Sequence, residues 1–238
     1  MIRTIVIGAA GRMGRRLVAN IMASETLTLA GATEFVESPL LGEDAGLVAG
    51  CGPAGVKITA NLEELVKNAD AVINFATAGV VESTKLAVAN GCAVVIGTTA
   101  LSQAEKGQLA ELADNGGRIV SSYNMSVGVN LLFKLVGEAA RTLGLDYDCE
   151  IIEMHHNQKK DAPSGTAVRL AEVVCEARGW NYGTDVRLGR EGLLGARTKH
   201  EIGMHSLRGG DVVGDHTVIF AIDGERVELT HKASSRDT

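Results

Sequence analysis

Near its start the chain reads Thr4-Ile5-Val6-Ile7-Gly8-Ala9-Ala10-Gly11-Arg12-Met13-Gly14. An unbroken β-branched run predicts a strand buried on both faces, and the glycines then turn the chain into a helical pattern. Few folds accept that sequence of events. Glycine allows a tight turn and a close backbone approach, while the first turn of the helix offers unpaired N–H groups and a partial positive charge, so a pyrophosphate fits there. The spacing is G-x-x-G-x-x-G, with Ala10 where the usual dinucleotide fingerprint has its second glycine. An ordinary glycine-rich turn between strand and helix is therefore the competing interpretation. Glu34 favours the dinucleotide: it ends the next strand pattern, where an acidic side chain accepts hydrogen bonds from the adenosine ribose. Phe35 follows where an arginine for a 2′-phosphate could have stood, which favours NADH over NADPH, although Arg12, Arg15 and Arg16 are also within reach of such a phosphate.

The rest of the first half keeps the same rhythm. Strands are predicted near 2–7, 27–33, 56–59, 70–75, 93–96 and 118–122, alternating with helices near 12–23, 61–68, 79–90 and 102–115. This is a Rossmann-like, doubly wound parallel sheet, which binds ligands at the carboxyl ends of its strands. Asn74-Phe75-Ala76-Thr77 and Ile96-Gly97-Thr98-Thr99 stand at two such ends, and Ser122-Tyr123-Asn124-Met125 closes the far end of the groove at a domain junction. The expected cofactor residues are Gly8, Ala9, Ala10, Gly11, Arg12, Met13, Glu34, Gly97, Thr98, Thr99, Ser122, Tyr123, Asn124 and Met125.

From residue 126 the pattern changes to a long helix ending near 143, a strand at 148–155, a helix after Pro163, and then alternating runs with glycine-rich turns. Arg208-Gly209-Gly210-Asp211 and Asp223-Gly224 carry hairpin chemistry. The expectation is a dinucleotide-binding domain over 1–125, and over 126–238 a substrate-binding and oligomerisation domain of α+β type with an open mixed or antiparallel sheet.

Composition removes several classes of partner. A net charge of −6 argues against nucleic acid. No apolar run approaches a membrane span, and the N-terminus reads as a strand rather than a signal peptide, so a soluble, cytoplasmic protein is expected. Cys51, Cys92, Cys149 and Cys175 show no zinc spacing, predicting reduced structural thiols and no metal.

The densest chemistry lies in Glu153-Met154-His155-His156-Asn157-Gln158-Lys159-Lys160-Asp161-Ala162-Pro163-Ser164-Gly165-Thr166. Two histidines end a strand, two lysines follow, and a helix opens at Pro163 with Ser164 as a candidate cap. A helix N-terminus beside an ammonium makes a carboxylate cradle, and a histidine or lysine next to it can deliver a proton. His155 and His156 face opposite ways unless the strand ends between them. Either could be a structural histidine, and Lys160 reads as a solvated charge. A cysteine-dependent acyl-transferring dehydrogenase would need a placed thiol, which none of the four provides. A dinucleotide-sensing module would not need the histidine and lysine cluster.

Together with Gly97-Thr98-Thr99, Asn124-Met125-Ser126-Val127-Gly128-Val129-Asn130, Gly209-Gly210-Asp211-Val212-Val213-Gly214-Asp215-His216 and Thr230-His231-Lys232-Ala233-Ser234-Ser235-Arg236, these motifs resemble the 4-hydroxy-tetrahydrodipicolinate (dihydrodipicolinate) reductases of the lysine and diaminopimelate pathway. The match runs in order along the chain. The resemblance implies hydride transfer from NADH or NADPH to C4 of a cyclic dicarboxylate, loss of the 4-hydroxyl as water, and protonation at the neighbouring carbon. It also implies that His155 and Lys159 are the proton-donating pair, that His156, Ser164, Gly165 and Thr166 meet the substrate, and that the chain forms a homotetramer through the open sheet. Two departures stand out: Phe35 replaces a basic residue common in the family, and members usually continue past the position of Thr238 with a tail that returns to the nucleotide-binding domain. A chain ending there is expected to be a truncated form or to lack that covering element.

Overall fold

The computed structural model describes residues 1–98 and 101–235, which form two compact units, the first ending at Ser122 and the second beginning at Tyr123. Along the first unit run β1 (Ile2–Ile7), α1 (Arg12–Met22), β2 (Leu27–Thr33), α2 (Ala45–Ala49), β3 (Ile58–Thr59), α3 (Leu62–Leu65, extended by a 3-10 turn over Val66–Asn68), β4 (Ala71–Asn74), α4 (Val80–Ala89), β5 (Ala93–Ile96), α5 (Gln103–Asp114) and β6 (Ile119–Ser121). The strands make one sheet in the order β3-β2-β1-β4-β5-β6, with every pairing parallel. The order reverses direction between β1 and β4, the switch point where such sheets bind ligands. Neighbouring residues of β1 explain why the strand had to be apolar throughout. Ile5 packs with Val72, Val94 and Ile96 on one face, and Val6 with Val18, Ile21 and Ala32 on the other. Each such fully buried aliphatic contributes roughly 1.5–3 kcal/mol.

The second unit contains α6 (Val127–Leu143), β7 (Asp148–His155), α7 (Gly165–Arg178), α8 (Tyr182–Asp185), β8 (Val186–Leu188), β9 (Ile202–Arg208), β10 (Gly214–Ile222) and β11 (Glu225–Ala233). Its sheet is mixed, in the order β11-β10-β7-β9-β8. β7 runs parallel to β9 and antiparallel to β10. Ile151, Val218 and Phe220 point to one side and join Leu170, Val174 and Val136 of the two long helices in a single core. The alternate residues Ile152, Thr217 and Ile219 face the other way and are only partly buried.

Of three local expectations, one holds and two change. Asp223-Gly224 is a hairpin turn, joining the antiparallel pair β10 and β11. Arg208-Gly209-Gly210-Asp211 is not, because β7 lies between β9 and β10 and the segment crosses its end. Pro163 stands outside the helix: the Ala162-Pro163 peptide is cis, and α7 starts at Gly165 with Ser164 as its cap. The short elements α2, α8 and β8 have too few residues for a period to show in sequence. Among the described residues no helix is long and apolar enough to cross a membrane.

Candidate active site

At the end of β1 the backbone makes the turn that the glycines allow. Gly8 has φ +75°, and a Cβ on Gly14 would lie 1.9 Å from the Gly8 carbonyl oxygen and 2.7 Å from Ala9 Cα. No side chain can be added there without moving backbone. α1 begins at Arg12 after the N-cap Gly11, with no side-chain cap and no acidic residue in its first turn, so the N–H groups of Arg12 and Met13 have no helical acceptor. Glu34 braces the turn, its Oε1 accepting from Ala10 N at 2.8 Å. Phe35 is 62% exposed beside it. Arg15 folds back, its Nε donating to the Ala10 carbonyl at 2.8 Å. At the next two strand ends the backbone is drawn tight: Thr98 Oγ1 donates to the Ala76 carbonyl at 2.6 Å, and the Phe75 ring lies where a Cβ on Gly97 would be. Thr99 lies outside the described residues.

In the second unit the chemistry gathers around Glu153, which is 0% exposed. Residues 153 and 155 of β7 share a face of the strand, and His155 Nδ1 lies 2.6 Å from Glu153 Oε2. Arg208, at the end of β9, forks onto the same carboxylate at 2.8 and 2.9 Å. Ser164 N donates to Oε1 at 3.2 Å. Burial works against the charge of Glu153, yet the hydrogen bonds from His155, Arg208 and Ser206 outweigh it and hold the carboxyl at about 2. β7 ends at His155, which frees His156 from strand geometry, and Gln158 N donates to His156 Nδ1 at 3.2 Å. Lys159 is ion-paired to both oxygens of Asp161 at 2.8 Å. Lys160 is exposed.

The first turn of α7 completes the cluster. Ser164 Oγ accepts from Ala167 N at 3.2 Å and meets His216 Nε2 at 2.9 Å. Only 2% exposed, Ser164 turns its hydroxyl inward and caps the helix start. Gly165 and Thr166 follow, and the helix itself offers their N–H groups no acceptor. Asn124 Nδ2 donates to Thr166 Oγ1 at 3.1 Å, tying the segment before α6 to this helix start. Burial and the neighbouring charge of His155 push His216 down to about 3, so it stays neutral. The His155 ring meets it edge-on, with centroids 5.2 Å apart.

Comparison with known proteins settles the family. Residues 2–125 match the family profile described as dihydrodipicolinate reductase, N-terminus, and residues 128–238 the profile for its C-terminus. The chain belongs to the dihydrodipicolinate reductase family. A 4-hydroxy-tetrahydrodipicolinate reductase of Syntrophotalea carbinolica is 50% identical over 238 residues, covering 100% of this chain and 89% of the relative. The same-named protein of Geotalea daltonii is 47% identical with the same coverage. Among solved structures, a dipicolinate-bound dihydrodipicolinate reductase from Paenisporosarcina sp. TG-14 superposes with a TM-score of 0.75 at 29% identity, covering 99% of this chain and 89% of that one.

As in other dihydrodipicolinate reductases, the N-terminal unit is a pyridine-nucleotide-binding domain. The turn at Gly8–Gly14 suits that group, since it keeps side-chain atoms away from free N–H groups. Three participants escaped the sequence reading: Arg208, His216, and Glu153 in its role as the common partner of His155, Arg208 and Ser164. Arg208 and His216 lie 55 and 52 residues from Glu153 and Ser164, the groups they meet here, and only the acid-and-base character of the surrounding motifs pointed at them. The cysteine-nucleophile reading gains no support. Cys92, Cys149 and Cys175 are buried and all four cysteines are free; burial pushes the thiol of Cys149 up to about 12 and that of Cys175 up to about 11. Among the described residues, no group of three or more His, Cys, Asp or Glu side chains is arranged to hold a metal ion.

Proposed function

We propose that this enzyme reduces 4-hydroxy-tetrahydrodipicolinate to tetrahydrodipicolinate, with loss of water, in lysine and diaminopimelate biosynthesis. The carrying observation is the buried Glu153–His155 pair beside the N-terminus of α7, in a chain matched over its whole length by reductases of that name. When bound, the dihydronicotinamide supplies the hydride that reduces C4. The domain over 1–125 holds the cofactor: the N–H groups of Arg12 and Met13 take the pyrophosphate, and Glu34 takes the ribose hydroxyls. Gly97, Thr98 and Ser122 of the same unit are the further residues we assign to the cofactor. An acidic Glu34 followed in sequence by the uncharged Phe35 favours NADH.

The domain over 126–238 holds the dicarboxylate. One substrate carboxylate sits on the N–H groups of Gly165 and Thr166, whose helix start carries partial positive charge. His156 accepts at Nδ1, so its Nε2–H is the donor that meets the substrate. His155 and Lys159 supply the proton to the carbon beside C4. The half-buried Ile152 and Ile219 with exposed Leu207 put an apolar patch on the otherwise polar open face of the sheet, and a homotetramer would bury it there. The four unpaired cysteines suit the cytoplasm.

The test is direct. The condensation product of aspartate semialdehyde and pyruvate drives NADH oxidation, more efficiently than NADPH oxidation, and pyridine-2,6-dicarboxylate competes with it as a planar dianion. A chain that binds NADH and leaves it unoxidised in that assay overturns the reading.

A further inference from the structure

We infer that Glu153 is the positioning residue of this site: a single buried carboxylate fixes which nitrogen of His155 does the acid–base work and, through its other oxygen, aims the helix start that receives the substrate. The inference rests on the reading of His155 as the acid.

The two oxygens divide the task. Oε2 accepts from His155 Nδ1 at 2.6 Å and from Arg208 Nη1 at 2.8 Å. Oε1 accepts from Ser164 N at 3.2 Å and from Arg208 Nη2 at 2.9 Å. Each oxygen therefore takes one arm of the guanidinium fork and one functional element. An ionised carboxylate only accepts, so His155 Nδ1 must carry a proton, and Nε2 is the nitrogen left to exchange one. Space has been kept at that nitrogen: a Cβ on Gly214 would come within 3.1 Å of it. On the other side, the bond to Ser164 N fixes the cap residue itself, and with it the direction of the next two N–H groups. Arg208 extends the brace, since Nη2 also donates to the Asp161 carbonyl at 2.7 Å, in the loop that carries Lys159.

Stability alone gives no reason for this arrangement. A buried ion pair is often no more stable than an apolar replacement of the same volume, because desolvation offsets the attraction between the charges. A pair that sets both a tautomer and a helix direction has a different reason to be there.

The wild-type chain supplies the first measurement. Two-bond proton–nitrogen correlation on the uniformly labelled full chain shows His155 protonated at Nδ1 near neutral pH; an Nε2–H ring with bare Nδ1 overturns the inference without any variant. Glu153→Gln turns one donor toward the ring or toward Arg208. It lowers kcat about 10²–10⁴-fold, as loss of an orienting carboxylate does in other acid–base sites, and raises KM for the dicarboxylate while leaving KM for NADH unchanged. Glu153→Asp keeps the charge, restores part of kcat, and is read in the same way if the glutamine variant does not fold. A folded Glu153→Gln chain with wild-type turnover also overturns the inference. If instead His155→Ala keeps full turnover, the acid has been misassigned, and the ring measurement still stands on its own.

Discussion

Helices α1 and α7 each follow the carboxyl end of a strand, and their N-termini are built in opposite ways. α1 follows β1 through Gly8–Gly14, its first turn bare of any side-chain cap. α7 follows β7 through a cis proline and is capped by Ser164, with Glu153, His155, Arg208 and His216 packed around that cap. The first site is made of backbone and depends on missing atoms. The second is made of side chains and depends on present ones. One should therefore fail when atoms are added and the other when they are removed, and the two failures should register in different measurements.

Removal at the second site has the largest expected effect. Lys159→Ala or His155→Ala deletes a proton donor, and such groups contribute typically 10²–10⁴-fold to rate. Turnover falls by that factor while the NADH dissociation constant, measured by calorimetry, stays within about twofold. A variant that lost NADH binding as severely as turnover would erase the distinction between the sites. Addition at the first site comes next. Gly14→Ala places a methyl against the Gly8 carbonyl and Ala9 Cα, backbone that cannot rotate away. Overpacking of this kind costs about 1–3 kcal/mol. Weaker NADH binding and a lower Tm are expected together, and an unchanged Tm would show that the turn is softer than its geometry implies.

A third effect separates the sites by pH. His216 is held near 3, against an ordinary value of 6.5, by burial and by the charge of His155, with Glu153, His231 and Lys159 also facing it. Since the unfolded chain binds the proton first, the stability contributed by the neutral ring is complete above pH 6.5 and is lost as pH falls toward about 3. By pH 5 the loss amounts to about 2 kcal/mol. Glu153 adds its own loss below its ordinary 4.5, as pH drops toward about 2. Trp180 is the single tryptophan and lies in the second unit, so denaturant titrations followed by its fluorescence report the right region. His216→Gln should flatten the slope between pH 7 and 5; an unchanged slope would place the titrating group elsewhere.

The same contrast explains what could be read from the residues in order. The first unit was legible nearly element by element, because a doubly wound sheet writes its strands as short apolar runs and its ligand turn as glycine spacing. Ile5 and Val6, on adjacent positions and opposite faces, are that rule in miniature. In the second unit the long helices and β7 were legible for the same local reasons. The order of its sheet was not: β9 lies parallel to β7, and nothing in the spacing of Arg208-Gly209-Gly210-Asp211 distinguishes a hairpin from a crossing. That error concealed Arg208. Once β9 is placed beside β7, register sets Ser206 next to Glu153, and Arg208, opposite His155, turns its guanidinium onto the carboxylate. Residues that act through backbone geometry show themselves locally; residues that act through a buried carboxylate appear only with the topology.

The smallest effect tests the one point where the backbone-built site relies on a side chain for its selectivity. Phe35 is exposed directly after Glu34 and brings no charge to the ribose edge. Phe35→Arg places a guanidinium where a 2′-phosphate would lie, and a partly solvated charge-assisted bond of this kind contributes about 1 kcal/mol. The ratio of kcat/KM for NADPH to that for NADH should rise roughly fivefold, and more of the gain should vanish at high salt than for a buried pair. Glu34→Gln combined with it removes the like charge facing the phosphate and should add to the gain. If Phe35→Arg leaves the ratio unmoved while Arg12→Ala or Arg16→Ala lowers NADPH use, selectivity is set by the first turns of α1 and not by the residue that follows Glu34.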